Sequence, residues 1–209
     1  MTRLTSQLTL DPNASIDLHM HTNYSDGKWP AQQLIDYLAA EGYNLVSVTD
    51  HDRVDMVASI QDLAAEKNLP VLSGVEMSTQ WNGNMGHVLC YGFDSEPHYL
   101  SAVTEKVVRK QLENTHEVHD ELLRRDYKFP REEEILAENG GKLRRPVDNG
   151  RLLREHGYAS DWQTALKIIR EAGFRSSLAV FFSPIDSCYS AAMGRGGCVF
   201  WPLPDKAVG

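Results

Sequence analysis

The chain has 209 residues, 42% of them hydrophobic and 24% charged, enough for one domain with its own core and ordinary for a soluble globular protein. A formal net charge of −8 argues against broad binding to membrane surfaces or to duplex nucleic acid through phosphate contacts. It leaves open a nucleotide held through metal ions, which supply positive charge locally.

Three cysteines (Cys90, Cys188, Cys198) make no disulfide framework and show no zinc spacing. Residues 1–10 are too polar for a signal peptide, and no run reaches membrane-span length. A cytoplasmic protein is expected.

Residues 1–14 read as a lead-in with a turn at Asp11-Pro12-Asn13. Residues 15–21 form a first strand ending in His19-Met20-His21. Strand side chains alternate faces, so His19 and His21 aim two imidazoles at one point, a candidate metal-binding pair. Thr22 to Trp29 is a Ser/Asp/Gly loop, where α/β enzymes keep their chemistry. Pro30 suits the first turn of a helix, with Leu34, Ile35 and Leu38 at helical spacing and Gly42 beyond its end. Residues 44–49 give a second strand, running into Asp50-His51-Asp52, and about 54–67 a second helix. A third strand starts at Pro70 and ends at Glu76. Residues 77–82 and 86–93 read as strands joined at Asn82-Gly83-Asn84. Strand–helix–strand–helix–strand is the pattern of a parallel α/β sheet.

From Pro97 to about Arg125 the spacing is helical. Pro130-Arg131-Glu132 opens a short helix that Asn139-Gly140-Gly141 breaks. Residues 147–156 and 160–172 give two more helices, the second capped by Ser160 or Asp161. After Gly173 charges are sparse and no clean period is visible.

Glu76 at the end of an apolar strand is an odd place for an unpaired carboxylate, because burying charge is costly, so it too is a candidate ligand. Asp50 either orients a ligand histidine or binds metal itself, while Asp52 is read as a cap of the next helix. His116 and His119 are read as a solvated helix face, and His98 and His156 as surface residues. Arg144 and Arg145 are candidate phosphate contacts.

Five pieces stand in order: His19-x-His21, Ser25-Asp26-Gly27, Thr49-Asp50-His51-Asp52, Gly74-Val75-Glu76, and Gly86-His87 ahead of Tyr91-Gly92. Together they resemble the PHP (polymerase and histidinol phosphatase) family of metal-dependent phosphoesterases. The resemblance implies a distorted (β/α)7-type barrel and two or three divalent ions (Mn, Fe or Zn). A metal-activated water would hydrolyse a phosphate ester of a small metabolite, nucleotide or short oligonucleotide. His19 and His21 hold one ion and Glu76 bridges to a second. By resemblance His87 ligates the second, and Asp26 with His51 contributes to a third. Asp50, Glu76 and Arg145 make up the expected catalytic set.

The family would next supply an Ala-His-Pro type motif and a C-terminal Asp-x-His, but no histidine follows His156. The barrel is therefore expected to be incomplete at its C-terminal end. A PHP-like domain spans residues 15–173, with a helical insertion over about 97–172 and a divergent tail over 174–209. Two other readings stay open: a degenerate PHP domain that binds metal or a partner without catalysis, and the PHP module of a bacterial DNA polymerase.

Overall fold

The computed structural model describes residues 8–81, 84–93, 99–137, 140–174, 183–184 and 198–200. The expected turn positions Asn82 and Gly83, His98, Asn139, Cys188 and most of the tail lie outside the described residues. The chain divides into two compact units, Met1–Glu105 with Phe182–Gly209, and Lys106–Phe181.

In the first unit β1 (Ile16–Met20), α1 (Ala31–Ala40), β2 (Leu45–Val48), α2 (Val57–Ala65), β3 (Gly74–Trp81) and β4 (Asn84–Tyr91) follow in order. β1 and β2 pair in parallel, with Ile16 opposite Leu45 and Met20 opposite Val48. Isolated parallel bridges, Val46 to Val71 and His51 to Glu76, carry the pairing on toward β3. β3 and β4 form an antiparallel ladder from Gly74 opposite Tyr91 to Trp81 opposite Asn84. Two short strands from the tail join this sheet, β5 (Ser183–Pro184) parallel to β3 and β6 (Cys198–Phe200) antiparallel to β4. The architecture is α/β, as the alternation of strands and helices implies. The described strands make a two-stranded and a four-stranded sheet, and no closed barrel is present among the described residues.

Two apolar layers hold the first unit. α1 and α2 bury Leu34, Ile35, Leu38, Ile60 and Ala64 against Val46, Val48 and Val71. Val75, Met77 and Val88 of the hairpin pack with Val57, Phe93, Leu100 and Val103.

The third strand differs from the sequence reading. Val71 makes only a bridge, and β3 begins at Gly74 and runs straight through Glu76 to Trp81. The uninterrupted ladder with β4 is the reason, because residues 74–81 find partners at every position. Glu76 therefore sits inside a strand.

Gly74 is fixed by close approach: a Cβ there would lie 2.1 Å from Ser47 Oγ and 2.9 Å from Thr49 Cγ2. Ser47 Oγ is already committed to the Leu72 carbonyl at 3.0 Å. Gly74→Ala is expected to cost about 2 kcal/mol through overpacking, read as a lower urea midpoint at unchanged slope.

The second unit is helical. α3 (Tyr99–Arg124), from Lys106 onward, is followed by α4 (Glu132–Ile135), α5 (Pro146–Glu155) and α6 (Trp162–Glu171). Val118, Leu122, Leu136, Leu152, Leu153, Ala165 and Ile169 form its core. Asp161 caps α6, accepting from Thr164 N at 2.8 Å.

His119 corrects the sequence reading, for it is buried rather than solvated. Its Nδ1 lies 3.0 Å from Asn149 Oδ1, and its Nε2 lies 3.3 Å from Glu132 Oε2. The i, i+3 spacing gave no sign that this face of α3 lies against α4 and α5. His156 is half-buried, its Nε2 accepting the Arg131 N–H at 3.2 Å.

Candidate metal centre

The end of β1 and the loop after it supply the first donors. His19 Nε2 lies 2.9 Å from Glu76 Oε2, and His21 Nε2 lies 3.0 Å from the same oxygen. The period-two strand geometry does what the sequence implied. On the other side of the carboxylate, His87 Nδ1 stands 3.0 Å from Glu76 Oε1, delivered by β4 from the position opposite Ser78. His51 Nε2 lies 3.7 Å from Glu76 Oε2 and 3.7 Å from Asp26 Oδ2. Asp26 Oδ1 is 3.1 Å from His21 Nδ1.

Six side chains thus form three groups whose donor atoms lie within 4.8 Å of one another: His19/His21/Glu76, His51/Glu76/His87 and His21/Asp26/His51. Each pair of groups shares one residue. Imidazole nitrogens and carboxylate oxygens in this number suit divalent transition metals.

Backbone pairing explains the convergence. Thr49 N donates to Met20 O (2.8 Å), Glu76 N to Thr49 O (3.1 Å) and Asp52 N to Glu76 O (3.0 Å). Asp52 is buried, takes a left-handed φ of 53°, and its carboxylate accepts from Ser78 N (2.8 Å) and Ser78 Oγ (2.7 Å). It does not cap α2, which begins five residues later at Val57 with Met56 before it. Asp52 instead locks the end of β2 onto β3 beside Glu76.

Asp50, only 2% exposed, accepts from Thr22 N (2.7 Å), Thr22 Oγ1 (2.6 Å) and Ser25 Oγ (2.6 Å). Ser25 Oγ lies in turn 3.3 Å from His21 Nδ1. Asp50 belongs to none of the three donor groups and grips the loop that carries Asp26. That loop closes tightly, since a Cβ on Gly27 would lie 2.1 Å from the His21 carbonyl oxygen. Tyr91 OH donates to Leu18 O at 2.6 Å and ties β1 to β4.

The electrostatics are those of a carboxylate ringed by imidazoles. Burial works against the charged form of Glu76, but the contacts from His21 and His87 outweigh it and hold the carboxyl far below the usual range. Burial also opposes protonation of His21, yet Asp26 and Glu76 push it up to about 9. The hydrogen bond from His21 holds Asp26 down at about 2. Glu76 raises His87, while burial lowers His51.

These shifts fix a sign. His21 is raised above 6.5, so its contribution to metal-free stability is full below pH 6.5 and is lost as pH rises toward about 9. Asp26 is lowered from 3.8, so its contribution is present above pH 3.8 and is lost as pH falls through about 2. Metal competes with the His21 proton, so metal affinity rises over the same alkaline window. Chelator-treated protein is expected to melt lower as pH goes from 6.5 to 9, while the gap to the metal-loaded sample widens. Paired melting curves across that window check it, and a gap that narrows would contradict it.

The structure brings together all six residues expected as ligands: His19, His21, Asp26, His51, Glu76 and His87. Arg145 stands in the second unit as the residue before α5. Its backbone N–H donates to Asp148 Oδ2 at 2.9 Å, and its guanidinium lies 3.5 Å from Asp148 Oδ1. Sequence reasoning missed Thr22 and Ser78, and it took in Ser25 and Tyr91 only as neighbours of candidate ligands within the motifs, without their roles as ties. Thr22 was visible only as a hydroxyl in a loop beside candidate ligands.

The PHP domain model matches residues 17–174, and the chain belongs to that family. Relatives include a 3',5'-nucleoside bisphosphate phosphatase of Chromobacterium violaceum, 33% identical over 105 residues, or 50% of this chain and 37% of the relative. A 5'-3' exoribonuclease of Haemophilus influenzae is 28% identical over 106 residues, covering 51% of this chain and 39% of the relative. The chain thus spans well under half of these relatives. Among solved structures, an amidohydrolase of C. violaceum with bound sulfate superposes with a TM-score of 0.75 at 24% identity, covering 92% of this chain and 68% of that one. A Bifidobacterium adolescentis protein proposed to be a metal-dependent phosphoesterase gives 0.66 at 21%, covering 90% and 66%. Both likenesses concern the fold.

Proposed function

We propose that this protein is a metal-dependent phosphoesterase acting on a small phosphorylated metabolite, nucleotide or short oligonucleotide. The three interlocked donor groups around Glu76 carry this reading, and the residues fit divalent ions in number, type and spacing. His19 and His21 would hold one ion, Glu76 would be shared with a second ion held by His87, and Asp26 with His51 would contribute to a third. Two or three ions of Mn, Fe or Zn are expected. When bound, such ions neutralise phosphoryl oxygens and make water acidic enough to act near neutral pH.

The chain's own part is geometric. Glu76 is shared by two groups and sets their separation. Asp50 acts as a positioning residue through Thr22 and Ser25. Arg145 is retained as a candidate phosphate contact. A phosphatase of nucleoside bisphosphates and an exoribonuclease among the relatives favour nucleotide substrates. We take the fold to be the family's distorted barrel in a cytoplasmic protein, with about 97–172 as a helical insertion and 174–209 as a divergent tail.

The test is metal content by elemental analysis together with phosphate release from a nucleoside 3',5'-bisphosphate and a short RNA. Two or three ions per chain, with release abolished by chelation, is the expected result. Ions bound without release from either compound would favour the non-catalytic reading.

A further inference from the structure

Asp26 is the most exposed of the six donors, its side chain 63% accessible, and it rides on the loop between β1 and α1. Its partner His51 comes from the separate segment after β2. Two ligands from two loops need something to fix their spacing, because side-chain and backbone freedom would otherwise oppose joint coordination. Asp50 secures the start of the loop through Thr22 and Ser25. A second tie comes from Arg53, two residues beyond His51.

Arg53 Nη1 donates to the carbonyl oxygen of Tyr24 at 3.2 Å, and its guanidinium carbon lies 5.9 Å from the centre of the Tyr24 ring. Its remaining nitrogens are pinned by a fork to Asp55, with Nε to Oδ1 and Nη2 to Oδ2 both at 2.8 Å. The guanidinium is thereby oriented in one plane and holds the backbone two residues before Asp26. Lysine cannot reproduce this, for it lacks the planar fork.

We infer that Arg53, steered by Asp55, is a positioning residue that sets Asp26 against His51 and so completes the His21/Asp26/His51 group. The inference rests on the metal-dependent reading above. It makes a demand that general structural support would not. Loss of Arg53 weakens the group containing Asp26 and spares His19/His21/Glu76 and His51/Glu76/His87, which contain no residue of that loop beyond His21.

The experiment is titration of chelator-stripped wild type, Arg53→Ala, Arg53→Lys and Asp55→Ala with Mn or Zn, followed by calorimetry and elemental analysis, with melting temperatures measured in parallel. The weakest-bound equivalent is expected to bind roughly tenfold to a hundredfold less tightly in both alanine variants, the range for partners that orient ligands. The tighter equivalents and the metal-free melting temperature stay within error of wild type. Arg53→Lys falls between wild type and alanine. Unchanged binding of every equivalent in Arg53→Ala and Asp55→Ala overturns the role of Arg53 alone. A uniform loss of all equivalents with a lowered melting temperature overturns it in favour of a structural role. Wild type that binds no metal overturns the phosphoesterase reading and this inference together.

Discussion

Glu76→Gln is expected to remove turnover to the limit of detection and to strip the centre of tightly held metal. The carboxylate offers Oε2 to His19 and His21 at 2.9 and 3.0 Å, and Oε1 to His87 at 3.0 Å, so both oxygens face imidazole nitrogens. An amide keeps the shape, but it replaces one acceptor by an NH2 donor and removes the negative charge. Two of the three donor groups contain Glu76, and both lose a ligand at once. The loss of charge stabilisation is about 4 kcal/mol or more, roughly a thousandfold in rate.

Asp26→Asn is the natural comparison, since Asp26 belongs to one group only. Its effect is expected to be a decade or more smaller, about a hundredfold at most. The ranking follows from how the groups share residues. Elemental analysis with initial rates on the two variants decides it. Full metal content in Glu76→Gln, or a larger defect in Asp26→Asn, would remove the shared carboxylate from the account.

The pair His19 and His21 was legible because a two-residue strand period is a local rule, and both imidazoles reach the same Glu76 oxygen. Glu76 stood out as an acid in an apolar run, yet its place inside β3 depends on the ladder with residues 84–91, which no local pattern encodes. Asp52 was misread for a related reason. An Asp after a strand and before a helix looks like a cap, and only the left-handed φ and the contact with Ser78, twenty-six residues away, show otherwise. His119 failed in the same way: α3 is 26 residues long, and the partners covering this part of it arrive from α4 and α5. Local chemistry was readable in each case, and long-range pairing was not.

Asp52→Ala is expected to be the most damaging change outside the ligands themselves. Asp52 is 1% exposed, and its carboxylate takes both the N–H and the hydroxyl of Ser78 at 2.8 and 2.7 Å. Removing it leaves two buried donors without that acceptor and places alanine at a φ of 53°, a region that Asp and Asn tolerate better. The expected cost is about 3 kcal/mol, seen as a roughly hundredfold loss of hydrogen-exchange protection at the Ser78 amide. Asp52→Asn keeps one oxygen and tolerates the backbone, so it should lose about half as much free energy. The defect also reaches the metal, because Asp52 N donates to Glu76 O and the adjacent His51 bridges Glu76. Slackening that junction moves the shared carboxylate relative to His51. Metal affinity in Asp52→Ala is therefore expected to fall together with Ser78 protection, and to recover in part in Asp52→Asn. Intact protection at Ser78 in the alanine variant would mean that the β4 ladder alone holds β3 in register, with Asp52 adding nothing to the placement of Glu76.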